Sequence, residues 1–174
     1  MAICNPLDGD LELPCGTNQG GIVEAYFADF ASMGTVTHGS PSDTITAIAM
    51  VGGAVFYKYE FLKNISTYGE ETPTEQATGV TNTVQTVTLS FNKRQQTTRA
   101  KLALLGYHKN LACIVLDSNG KYWLIGETAG VNLTNKVSES GTLRADRNQY
   151  TLTFVGEEPE DASELATGVL ATVI

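Results

Sequence analysis

Residues able to do chemistry are few in this chain, and their spacing argues against most catalytic roles. The sequence has two histidines, His38 and His108. His38 sits beside Gly39 and Pro41 in a predicted turn, and His108 follows a predicted helix end, where positive charge is stabilised. Neither has a Cys, Asp or Glu at the spacing of a metal site or a nucleophile–base pair. Cys4, Cys15 and Cys113 read as small buried hydrophobes. Pairing of Cys4 with Cys15 stays open, since both lie in one turn-rich segment. Asp117-Ser-Asn-Gly120 and Asp146-Arg-Asn-Gln149 offer oxygens in the manner of a calcium loop, but neither is followed by the required glutamate. Side chains that shape turns explain them better. Glu70-Glu71 and Glu157-Glu158 are paired carboxylates in Pro-flanked segments, expected to face solvent with nothing to raise a pKa. No phosphate-cradling glycine loop and no nucleophile elbow occurs; Ser138-Glu-Ser-Gly141 lacks the spacing. The expectation is no enzymatic activity, no metal and no cofactor.

Charge points the same way. The chain has 174 residues and a net charge of −8 at pH 7, with 17% charged residues. Residues 1–57 carry six acids and no Lys or Arg, and 157–174 carry five acids and no base. All eleven bases fall between Lys58 and Arg147. Overall acidity disfavours a protein that grips nucleic acid through phosphate. Low charge suits a surface largely covered by partners. Lys93, Arg94, Arg99, Lys101, His108 and Lys109 form a basic stretch with no acid among them. It reads as a nucleic-acid patch, a solvated helix face, or a face that meets the acidic ends of the next copy. The last fits best, because head-to-tail contacts between unlike patches build rings and filaments.

The elements that must position these residues are mostly strands. Val23, Ala25 and Phe27 alternate with Glu24 and Tyr26. Thr44–Val51 is a β-branched run. Val55, Tyr57, Tyr59 and Phe61 alternate with Phe56, Lys58 and Glu60. Thr83–Asn92 is the clearest strand, with Val87, Leu89 and Phe91 on one side and Thr86, Thr88 and Ser90 on the other. Residues 95–107 predict a helix with Ala100, Ala103, Leu104 and Tyr107 on its apolar stripe, widened by Leu102 and Leu105, and Gly106 near its end. Leu111–Leu116 and Lys121–Gly126 flank Asn119-Gly120, a hairpin signal. Val131–Val137 is a weaker strand. Tyr150, Leu152 and Phe154 alternate with Thr151 and Thr153 in the last strong one. Leu165–Ile174 is a short helix or a terminal strand. The reading is mainly β: one domain over 1–174, a β-sandwich or barrel of about seven or eight strands with a helix against it. Residues 1–19 are irregular. Residues 63–82 are a long loop, expected to be an arm ordered by a neighbouring copy. Residues 157–174 are an acidic tail segment. The apolar run Thr44–Tyr57 is too short to span a membrane, and no leader pattern begins the chain.

Several motifs together resemble a known family: Cys4, Leu13-Pro14-Cys15 and Gly20-Gly21-Ile22; Leu89-Ser90-Phe91; Val115-Leu-Asp-Ser-Asn-Gly-Lys-Tyr-Trp-Leu-Ile-Gly126; and Gly141, Asp146, Tyr150-Thr-Leu-Thr-Phe154 and Gly156-Glu157-Glu158. The pattern is similar to the tail-tube or tail-ring (neck) structural proteins of bacteriophages infecting Bacteroidetes-type bacteria, the crAss-like phages. The resemblance implies a virion structural protein. It would be assembled in the host cytoplasm as a homo-oligomeric ring, adjoining other tail, neck or portal proteins. DNA would pass through the channel without specific binding. The family brings no catalytic residues. On this reading Thr86, Thr88, Ser90, Thr151 and Thr153 face the channel, and Lys93, Arg94, Arg99, Lys101 and Lys109 form an inter-subunit patch. Two alternatives remain: a capsid-decorating or head-fibre protein, or a small-ligand-binding sandwich with Trp123, Tyr122 and Tyr150 as its platform. Trp123 reads better as a core anchor.

Overall fold

A computed structural model describes residues 18–40, 43–75 and 80–174. The expected irregular N-terminal segment, apart from residues 18–19, and the Cys4–Cys15 question lie outside the described residues. The strands are β1 (Ile22–Asp29), β2 (Met33–His38), β3 (Ile45–Met50), β4 (Tyr57–Tyr59), β5 (Thr67–Glu71), β6 (Thr74–Glu75), β7 (Val80–Thr81), β8 (Thr83–Asn92), β9 (Leu111–Asp117), β10 (Tyr122–Ile125), β11 (Asn132–Glu139), β12 (Gln149–Glu158) and β13 (Ser163–Glu164). Two helices, α1 (Gln96–Tyr107) and α2 (Leu170–Val173), complete them with two single 3-10 turns. The fold is mainly β, as expected. The strand count exceeds seven or eight because short segments such as β5 and β13 pair at sheet edges, and β2 with β3 and β6 with β7 form two-stranded sheets of their own.

Two antiparallel sheets form the body. One has five strands in the order β13-β10-β9-β1-β4, and the other has four in the order β11-β12-β8-β5. The strongest alternation in the sequence makes the joint between them. In β8 the inward positions Val87, Leu89 and Phe91 are buried, and opposite them in β12 so are Tyr150, Leu152 and Phe154. They meet Ala25, Phe27, Cys113, Val115 and Ile125 of the five-stranded sheet in one apolar cluster. Phe27 and Phe154 stack across it with ring centroids 4.8 Å apart. Each such side chain contributes roughly 1.5–3 kcal/mol by leaving water.

The five-stranded sheet is covered on its other face too. Tyr26, Ala28, Ile114 and Leu124 join Ile45 and Ile48 of β3, Phe56, and Leu170 and Val173 of α2 in a second cluster. Thus β1 and β9 are buried on both sides, which explains why Leu111–Val115 is a continuous apolar run. The alternation read at 55–61 is partly inverted, because the Phe56 N–H donates to the Val173 carbonyl (2.7 Å) and holds the ring over the second cluster. Phe56 is 2% exposed against the second cluster, while Tyr57 is 65% exposed.

Two further expectations are corrected. The helix forms where predicted, but its buried residues are Leu102 and Leu105, while Leu104 and Tyr107 are 56% and 80% exposed. Ala100, with three bases nearby in sequence, also faces solvent. Gly106 lies inside α1, where a Cβ would sit 3.3 Å from Leu133 Cδ2; the glycine allows the close approach of α1 to β11. Residues 63–82 are not one long loop. Thr67–Glu71 pairs with β8 as the edge of the four-stranded sheet. Only Tyr68 of that strand packs against the core, so an edge strand with one apolar anchor reads as loop. Residues 76–79 of this stretch lie outside the described residues.

Candidate functional site

The two expected surfaces are built on β8 and its continuation into α1. Thr86, Thr88, Thr151 and Thr153 lie half-buried on the outer face of the four-stranded sheet, opposite the core residues of β8 and β12. The register aligns Thr67, Thr88 and Thr153 in one row across three strands. Thr88 and Thr153 hydroxyls are 3.4 Å apart. Ser90 does not belong with them. It is 4% exposed, because the segment before β5 folds over it: the Ser90 N–H donates to Ser66 Oγ (3.1 Å) and the Leu62 N–H donates to the Ser90 carbonyl (2.7 Å).

The basic residues follow β8. Lys93 takes a left-handed turn conformation (φ 64°), and its N–H donates to the Asn148 carbonyl. The Arg94 guanidinium lies 5.9 Å from the Tyr150 ring centroid, and Lys136 Nζ lies 5.7 Å from the same ring. Arg99 and Lys101 are exposed on α1, and Lys109 is exposed just past it. Among the described residues, none of the five expected patch members has a carboxylate at salt-bridge distance; the ion pairs involve His38, Lys58, His108 and Lys121. His108, beyond the helix end, is 3.5 Å from Asp29.

The three aromatic rings offered as a ligand platform do not share a surface. Trp123 packs against the first cluster and Tyr122 against the second, on opposite faces of β10. Tyr150 is 5% exposed within the core. Trp123 Nε1 donates to Asp117 Oδ2 at 3.3 Å, the behaviour of a half-buried anchor with a satisfied N–H. The turn-shaping reading of the Asp motifs agrees with the geometry. Asp117 Oδ1 accepts the N–H groups of Asn119 (2.9 Å) and Lys121 (2.8 Å). Asp146 Oδ2 accepts those of Thr142 (2.7 Å) and Leu143 (2.6 Å), which hold its carboxyl below the usual range.

A polar cluster that the sequence reading missed lies at the other end of β8 and β12. Glu158, expected in solvent, is 2% exposed. Its carboxylate accepts the Thr128 N–H (3.0 Å) and the Ala129 N–H (2.9 Å). Gln85, also 2% exposed, accepts the Gly126 N–H (2.9 Å) and donates to Glu70 Oε1 (3.0 Å). Glu70 Oε1 also accepts the Ala162 N–H at 2.6 Å. The cluster therefore ties three strands of one sheet to the loop after β10 and to the approach to β13. The signal was in the alternation: Glu158 continues Tyr150, Leu152, Phe154 and Gly156, and Gln85 precedes Val87, Leu89 and Phe91 on the inward side. Beside it is a cavity of about 260 Å³ lined in part by His38, Asp43, Glu127, Glu158 and Asp161. His38 Nε2 is 2.6 Å from Glu127 Oε1, and that hydrogen bond, with the Asp43 carbonyl at 3.1 Å, raises the imidazole pKa. These side chains are engaged in holding loops. Among the described residues, no group of three or more His, Cys, Asp or Glu side chains is arranged to hold a metal ion, and no helix is long and apolar enough to cross a membrane.

Comparison with protein-family models, curated proteins and solved structures gives no match.

Proposed function

We propose that this chain is a non-enzymatic virion structural protein whose copies form a ring of a phage tail tube or neck around a passage for DNA. The observation that carries the reading is the outer face of the four-stranded sheet. A row of short hydroxyl side chains, Thr67, Thr88 and Thr153, crosses three strands there, with Thr86 and Thr151 beside it. Short hydroxyls make a wet wall without long cationic side chains. A net charge of −8 repels phosphate, so a duplex can slide rather than adhere. The unpaired basic side chains at one end of the same sheet supply what a neighbouring acidic copy needs.

Electron microscopy of the purified protein tests the proposal. Closed rings with a central hole are expected. Spikes bound to shells would favour capsid decoration, and dispersed monomers at high concentration would refute the ring. Replacing Thr86 and Thr88 by Lys should preserve folding and rings and impair DNA delivery. Normal delivery by assembled mutant rings would place the threonine face on the outer wall.

A further inference from the structure

The four-stranded sheet is electrically polarised along its strands. At one end, Glu71, Val84 and Glu157 are aligned across β5, β8 and β12. The turn after β12 adds Glu160 and Asp161, and Glu71, Glu157 and Glu160 are exposed. At the other end Asn92 pairs with Gln149 and Gln149 with Glu139, and the chain there carries Lys93, Arg94, Arg144 and Arg147, with Arg99 and Lys101 on α1, so that these bases outnumber the acids Glu139 and Asp146. β8 has ten residues, so the two ends are about 30 Å apart at ~3.4 Å per residue. That separation exceeds the ~8 Å Debye length at physiological salt, so the two ends act as independent surfaces.

The basic end also has shape. A groove of about 700 Å³ opens between β4 and α1, lined by Tyr57, Tyr59, Phe91, Lys101, Leu102 and Leu104. Tyr57 and Leu104 are more than half exposed there, and among the described residues β4 is the outermost strand of the five-stranded sheet. Of the charged side chains that line it, Lys58 is engaged with Glu24, Lys101 has no carboxylate at salt-bridge distance among the described residues, and Glu60 is the one acid. With Arg94 and Arg99 nearby in the chain, the surroundings remain net basic and suit an acidic surface that carries its own apolar or backbone contact.

We infer that this groove receives the acidic end of a second copy of the same chain, namely the end of β12 and the turn at Pro159-Glu160-Asp161, in a head-to-tail contact. The inference rests on the ring reading and names its interface. The two surfaces differ and lie on one molecule, so the contact is heterologous. It propagates from copy to copy and closes only if the rotation per copy permits. Pairing each end with its like would set Glu against Glu or Arg against Lys, which costs several kcal/mol of repulsion.

The test uses two variants of the full chain. One reverses the basic end (Arg99→Glu, Lys101→Glu, Leu104→Glu), and the other reverses the acidic end (Glu71→Lys, Glu157→Lys, Glu160→Lys). All six side chains are exposed, so both variants should keep the wild-type circular dichroism and melting profile. Native mass spectrometry and negative-stain microscopy should show wild-type assemblies, with association of each variant alone weakened roughly 100-fold. An equimolar mixture should form heterodimers containing one copy of each variant, because the unaltered acidic end of the first meets the unaltered basic end of the second. Wild-type assemblies should also loosen as salt rises toward 1 M, where the Debye length falls to ~3 Å; this readout holds even if one variant misfolds. A wild-type chain that stays monomeric overturns the ring reading and this interface with it. Wild-type assembly with equal assembly of either variant alone, failure of the mixture to associate, or indifference to salt overturns this interface and leaves the ring standing.

Discussion

Replacing Glu158 with Ala is expected to be among the most damaging single changes to a charged residue in this protein. The side chain is 2% exposed and accepts two backbone N–H groups of the 126–130 loop, from Thr128 and Ala129. Hydrogen bonds to a charged acceptor are worth about 1.5–3 kcal/mol each, and a sheltered donor left unmade keeps its desolvation cost. Two such bonds set the loss at about 3–6 kcal/mol. For a chain of this length that corresponds to a fall of roughly 6–24 °C in Tm, at about 2–4 °C per kcal/mol. The neighbour Glu157 is the internal control. It is exposed on the same strand and accepts a 3.2 Å bond from Asn82 Nδ2, and Glu157→Ala should stay within about 0.5 kcal/mol. Urea unfolding followed by fluorescence of the single Trp123 measures both, since Trp123 lies in the strand that leads into the loop. Equal midpoints for the two variants would refute the assignment of Glu158 as the clamp of that loop.

Leu102→Ala should cost about 2–5 kcal/mol by opening a cavity in the core, whereas Leu104→Ala should leave monomer stability within about 0.5 kcal/mol; thermal melts of the two decide which face of α1 is inside. His38 has a raised pKa through Glu127, so its stabilising pairing is fully present below the unfolded value near 6.5 and is lost as pH rises through the folded pKa. His38→Asn should flatten the stability–pH curve in that window, and an unchanged curve would count against the pairing. Cys113 is fully buried and burial pushes its thiol pKa well up, so a thiol reagent at pH 8 should label it only at the rate of unfolding; fast labelling of the native state at this residue would contradict the core described above.

Much of this architecture is legible where one physical rule acts alone. β8, β12 and the β9–β10 hairpin follow from period-2 alternation and an Asn-Gly turn, and each forms where those signals place it. The reading fails where two rules compete. In β1 both faces are buried, so alternation no longer marks inside and outside; before β4, Phe56 turns into the second cluster while Tyr57 faces out, against the period read there. In α1 the apolar side chains surround the helix, and only tertiary contact selects Leu102 and Leu105 over Leu104 and Tyr107. Glu158 and Gln85 sit on the inward period but are polar, and residue type outweighed position in the reading; the backbone N–H groups that compensate them come from a loop distant in sequence. Ser90 obeys the alternation and is buried regardless, because a neighbouring segment crosses above it.

The two-sided burial of β9 has a consequence for how the chain finds its register. A strand with one wet face is held in register by water, since a slip of one residue would expose its apolar set. From Leu111 to Val115 both faces are dry, and that penalty is largely absent. Alignment must then come from the ends of the strand and from side-chain size. At one end the Asp117–Gly120 turn, with Gly120 at φ 83°, fixes β10 against β9. At the other, Leu111 and Val131 exchange both backbone hydrogen bonds, at 2.9 and 2.7 Å. Between them, Ala112 and Cys113 are smaller than the positions around them and admit only neighbours of matching bulk. The most buried strand in the molecule is thus aligned from its two ends, one an exposed turn and the other a buried backbone pair, and errors of pairing should arise at the turn before they arise in the core.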